Sequence, residues 1–119
     1  MIGAVLVAFV ALIHLAILVM EMFLWETPRV RALFRTTPEF AAATRVLAAN
    51  QGLYNGFLAA GLILALIQGL PGPGVGLAHF ILACVIVAGL YGAATAGRRI
   101  VYVQAAPAAL ALVAVLFGI

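Results

Sequence analysis

Four long apolar runs, at about residues 3–25, 46–67, 76–96 and 100–118, occupy most of a 119-residue chain. Each is close to the length an α-helix needs to cross a hydrocarbon core of roughly 30 Å. None alternates apolar with polar residues, which excludes the strands of a membrane barrel. Mean hydropathy is +1.32, and only 8% of residues are charged, far from the composition of a soluble globular domain. The expected fold is therefore all-α: an integral membrane four-helix transmembrane bundle, one domain, with helices at about 3–25, 38–68, 76–96 and 100–118. The first run is longer than a signal-peptide core, has no basic residue ahead of it and ends without a small-x-small cleavage site, so it reads as a retained helix.

The chain has six arginines and no lysine. Arg29, Arg31, Arg35 and Arg45 lie between the first and second runs, Arg98 and Arg99 between the third and fourth. Two such clusters, separated by an even number of crossings, share one side of a membrane. The positive-inside rule makes that side cytoplasmic, with both termini and the uncharged turn at residues 69–76 facing outward. Their first role is topological, and contact with anionic membrane lipid is an addition. With no soluble domain, a nucleic-acid partner is not expected.

The connection between the first two runs carries its own punctuation. Thr27-Pro28 and Thr37-Pro38 each place a capping hydroxyl before a proline at the first helical position, and Glu39 suits the positive end of a helix dipole. A short interfacial helix is expected at residues 29–34, and a long second helix from Pro38 to Gln68.

The second run is the least ordinary. Asn50, Gln51, Tyr54 and Asn55 sit inside it, and amides in hydrocarbon are costly unless something answers them. Counting inward at 1.5 Å per residue puts Glu21, Asn50 and Gln104 about 6 Å deep, Gln51 and Tyr91 about 7.5 Å, Tyr54 about 12 Å, Asn55 about 14 Å and His14 about 16 Å. All four helices then contribute to one inner-leaflet layer, in which Glu21, Asn50, Gln51, Tyr91 and Gln104 are expected to point inward around a polar pocket. His14 and Glu21, seven residues apart, share a helix face, with Trp25 one turn beyond Glu21. Asn50 with Tyr54, and Gln51 with Asn55, form adjacent i,i+4 stripes.

Glu21 and His14 are the candidate catalytic residues. Glu21 is the sole acid well inside a run, whereas Glu26 and Glu39 belong to the interface. A low dielectric disfavours its ionised form unless a cation or several donors hold the charge. His14 can donate and accept a proton near neutral pH. Trp25, Asn50, Gln51, Tyr54, Asn55, Tyr91 and Gln104 are the candidate ligand-binding set, since each joins a polar tip to a fixed direction. The competing reading is interhelical glue, which such side chains supply throughout membrane proteins. It has first claim on Tyr91, Tyr102 and Gln104 taken singly, and Trp25 reads first as an interfacial aromatic. His79, near the outer boundary, reads as interfacial.

Small residues recur every four positions at Ala48, Gly52, Gly56 and Ala60, and again at Ala88, Gly92 and Ala96, allowing close helix approach. Packing within one chain is their first use and a homodimer seam their second. Pro107 removes an amide donor and is expected to kink the fourth helix beside Gln104. There is no phosphate-cradling loop, no aspartate and no serine, so phosphate and serine-nucleophile chemistry are not indicated. The lone Cys84 reads as packing. No cofactor is indicated, and a metal site would need His14 and Glu21 with His79, whose depth does not match theirs.

Residues 21–25 (EMFLW), 27–29 (TPR), 37–40 (TPEF), 47–62 and 87–95 (VAGLYGAAT) resemble an uncharacterised family of small four-helix bacterial membrane proteins, domain of unknown function 1304. The resemblance covers nearly the whole chain, and its Asn50–Gly56 core is specific. It implies a multi-pass protein of the bacterial inner membrane and supplies no activity.

Two function classes follow from the pocket. In one, it binds a small hydrophobic or amphipathic molecule and carries it across, Glu21 exchanging a proton for the substrate; the resemblance to small multidrug-resistance transporters is architectural only. In the other, the protein is an intramembrane isomerase-like enzyme with Glu21 and His14 as acid and base on a lipid-like substrate. A third reading is a structural or partner-binding subunit.

Overall fold

The computed structural model describes residues 1–119, all of whose regular structure is helical. Three helices are long and apolar enough to cross a membrane: α1 (Ile2–Phe23), α4 (Arg45–Gln68) and α5 (Val75–Thr95). Two short helices, α2 (Pro28–Phe34) and α3 (Pro38–Ala43), lie in the connection between α1 and α4. After α5 the chain makes a π-helical turn at Val101–Ala105 and continues as α6 (Ala106–Leu116).

The threonine–proline pairs start helices as their chemistry requires. Thr27 accepts the amide of Val30 and Thr37 that of Phe40, each with proline in the first turn, and Glu39 lies in the first turn of α3. Helix α2 ends on Arg35, whose left-handed backbone (φ 57°) lets its amide reach back to the Ala32 and Arg31 carbonyls.

The long second helix begins at Pro38 as expected but does not run unbroken to Gln68. It is interrupted at Thr44, which leaves helical geometry (φ −104°, ψ 8°). The Thr44 hydroxyl donates to the Phe40 carbonyl at 2.7 Å, and its oxygen accepts the Trp25 indole N–H at 3.1 Å. A hydroxyl that bonds to the i−4 carbonyl bends a helix. Here the tertiary bond to Trp25 holds the bend in place.

The fourth run also departs from a regular spanning helix. Its π turn carries five residues and α6 eleven, so Val101–Leu116 is shorter than the other three. Pro107 has no N–H to give to the preceding turn, and the Ala106 amide bonds instead to the Val101 carbonyl five residues back. Gln104 thus lies in a π turn that ends two residues before Pro107, which is where the proline was expected to disturb the helix.

The chain divides into two compact units, residues 14–57 and residues 1–13 with 58–119. In the second of these, four helical segments share one apolar core: Val7, Val10 and Ala11 of α1, Leu62 and Ala65 of α4, Ala78, Leu82 and Val85 of α5, and Ala108, Ala111 and Val115 of α6. Small residues bring the segments together. A Cβ on Gly89 would stand 2.9 Å from the Ala105 Cβ and 3.0 Å from its backbone nitrogen. The chain ends meet as well, the Gly3 amide donating to the Ile119 carbonyl at 2.7 Å. Beside this junction, Gly3, Ala4, Leu70, Pro71, Val115, Gly118 and Ile119 line a shallow depression.

Candidate functional site

The unit formed by residues 14–57 holds most of the polar residues singled out above. Within it, the second half of α1 lies against the first half of α4 at the glycines. A Cβ on Gly52 would stand 2.7 Å from Met22 Cγ, 3.1 Å from Glu21 Cβ and 3.2 Å from the Leu18 carbonyl oxygen; one on Gly56 would stand 2.6 Å from Leu18 Cδ1. At this seam Gly52 and Gly56 of the small-residue stripe are used within the chain, whereas Ala60 is exposed. Leu18 and Met22 shape the contact, yet nothing in the sequence marks them, because an aliphatic side chain opposite a glycine carries no polar signal.

Gly52 and Gly56 bracket Asn55, and the close approach they permit lets this short side chain reach across. Its Nδ2 donates to Glu21 Oε1 at 2.9 Å and to the backbone carbonyl of Gln51 at 3.0 Å. Both residues are partly buried. A hydrogen bond between a carboxylate and a fixed amide is among the stronger neutral–charged contacts, and the local tie to Gln51 pre-orients the donor. The four arginines that follow α1 stand elsewhere: Arg45 is 3.9 Å from the Glu26 carboxylate, Arg31 donates to the Glu26 carbonyl, and Arg29 and Arg35 are exposed. The Arg45–Glu26 contact joins two exposed side chains and adds little stability.

The other candidates scatter. His14 is 99% removed from solvent, with 1% of its surface left, and shares the α1 face of Leu18 and Glu21. The Trp25 indole donates to the Thr44 hydroxyl, and its ring meets that of Phe34 edge-on at 5.0 Å. Asn50 and Gln51 were expected to point inward, but both are exposed on the isolated chain, as is Tyr54. The reason is helical phase. Positions 48, 52, 55 and 59 turn one face of α4 inward, and Asn50 lies nearly opposite them at 100° per residue. Gln51 flanks the Glu21–Asn55 pair, whereas Tyr54, 56% exposed, leans edge-on to Phe57. Tyr91 and Gln104 belong to the other unit. Tyr91 is 71% exposed rather than inward-facing, and Gln104 sits half-buried in the π turn.

Of the nine candidate side chains, a smaller constellation is brought together: Glu21 and Asn55 bonded to each other, Gln51 beside them, and His14 two turns up the α1 face of Glu21. No three His, Cys, Asp or Glu side chains cluster, and the contact at the centre of the constellation is the hydrogen bond to the Glu21 carboxyl.

The family model described as "Protein of unknown function (DUF1304)" matches residues 8–116. The chain belongs to this family. The match spans every residue of the constellation and of the π turn. No curated protein and no solved structure matches the chain.

Proposed function

We propose that this DUF1304 protein is a four-helix, multi-pass protein of the bacterial inner membrane with both termini outward, and that Glu21 and Asn55 bind the polar end of a small hydrophobic or amphipathic molecule. The observation that carries the reading is the 2.9 Å bond from the Asn55 amide to Glu21, set between two helices long and apolar enough to span a bilayer. Asn55 meets one carboxylate oxygen and leaves the other to a ligand, with the exposed Gln51 amide alongside. With Arg45 beside Glu26, a proton or a cationic group of the ligand supplies the balancing charge for Glu21. Competition between the two for one carboxyl is the minimal device of a proton-coupled carrier, and transport is the use of the site that we favour. The isomerase alternative asks Glu21 and His14 to serve one substrate from positions about 10.5 Å apart along the helix axis, a longer reach than acid–base chemistry at a single carbon needs.

Tetraphenylphosphonium, a lipophilic cation, is a suitable probe. It should bind the purified protein in detergent micelles and release protons into a weakly buffered solution. Glu21→Gln preserves shape but removes the charge, and should weaken binding by about tenfold or more, the value of a charge-assisted contact. Equal binding by parent and variant would remove the site from consideration.

The orientation rests on the two arginine clusters. In a Cys84→Ala background, Ile2→Cys and Ile119→Cys should react with an impermeant thiol reagent in intact cells, and Arg29→Cys only after the membrane is opened. The reverse pattern would invert the topology.

A further inference from the structure

One face of α4 remains without a use. Val46, Asn50, Leu53, Tyr54 and Phe57 lie along it, all exposed on the isolated chain, Leu53 at 42% and Phe57 at 57%. Asn50, Leu53 and Phe57 follow a 3-4 spacing, which keeps a single seam facing a neighbouring helix. Apolar residues on such a face are at home against lipid, but Asn50 is not. About 6 Å inside the hydrocarbon, by the depth count from Val46, acyl chains offer its carboxamide neither donor nor acceptor. The glycines of α4 cannot supply a partner, because Gly52 and Gly56 face Leu18, Glu21 and Met22 of the same chain.

We infer that this face is the seam of a homodimer, in which Asn50 of each copy pairs with Asn50 of the other. A carboxamide carries both donors and an acceptor, so an identical group is its natural complement. The arginine distribution inserts every copy in the same orientation, and a two-fold axis along the membrane normal then places both Asn50 side chains at one depth. A polar residue at such a position in a helix seam selects register and partner. Leu53 and Phe57 pack above the pair, with Tyr54 at the edge. This inference rests on the membrane-spanning reading above but not on the ligand site, since Glu21 and Asn55 occupy the opposite side of α4.

Oxidative cross-linking in isolated membranes tests it. In a Cys84→Ala background, Leu53→Cys and Phe57→Cys should form disulfide-linked dimers well above the collisional level set by Val19→Cys, an exposed position on α1. Asn50→Leu added to Leu53→Cys should abolish the excess, corresponding to about a tenfold weaker dimer, while Asn50→Gln, which keeps an amide, should retain most of it. Cross-linking equal to that of Val19→Cys overturns the dimer, and so does an excess that Asn50→Leu leaves intact. Alkaline carbonate extraction of the same membranes separates the causes. If the chain stays in the membrane pellet but does not cross-link, only the dimer fails; if carbonate releases it, the membrane reading fails too.

Discussion

Gly74→Ala should destabilise the protein by about 3 kcal/mol, at the upper end of what overpacking usually costs. Gly74 caps the start of α5, and a Cβ there would run into the backbone carbonyl of Ala65 in α4. Backbone cannot swing aside as a side-chain tip can, so the two helices must separate, and the core they share around Ala65, Ala78 and Leu82 opens with them. Gly76 is the control. Nothing lies within 4 Å of a Cβ at that position, and alanine is the better helix former, so Gly76→Ala should be neutral or slightly stabilising. Gly89→Ala should fall between the two, pressed against the Ala105 nitrogen at 3.0 Å. Unfolding in mixed micelles at rising dodecyl sulfate, followed by far-ultraviolet circular dichroism, ranks the three. Equal losses at positions 74 and 76 would mean that the turn, rather than the contact with Ala65, requires glycine.

The second large effect is expected at the Glu21–Asn55 pair. Asn55→Leu leaves a partly buried carboxyl without its donor and should cost about 1–3 kcal/mol. Glu21→Leu removes the group that needs the amide, and the double variant should recover much of the loss, because two apolar side chains suit this setting. The resulting cycle should show a coupling of about 1–2 kcal/mol, the upper range for interhelical hydrogen bonds in membranes. The same micelle titration measures all four proteins. A coupling near zero would reduce the 2.9 Å bond to an incidental contact and, with it, the pre-organisation on which the proposed site depends.

Much of the architecture was legible in the chain itself. The apolar runs announced the three long helices, since only length and hydropathy decide whether a helix can cross a bilayer. Thr27-Pro28 and Thr37-Pro38 marked two helix starts because capping is local chemistry, settled within four residues. Pro107 announced a break for the same reason: a missing N–H is a property of one residue. The break at Thr44 was not legible. Threonine is tolerated inside helices, and its hydroxyl bends this one only in company with the Trp25 indole, nineteen residues away in sequence.

The candidate site divides along the same line. Residue type by itself identified Glu21, Asn55 and His14, because a carboxyl, an amide and an imidazole in apolar runs are costly wherever they point. Depth counting spread them over about 6 to 16 Å and could not fix rotation about the helix axis. Only the tertiary structure decided that Gly52 and Gly56 turn toward Leu18 and Met22, that Asn55 is thereby carried to Glu21, and that Asn50, Tyr54 and Tyr91 face outward. Spacing along a helix constrains the angles between its own residues. Which of those angles faces a neighbour depends on how side chains distant in sequence pack together, and no stretch of a single helix contains that information.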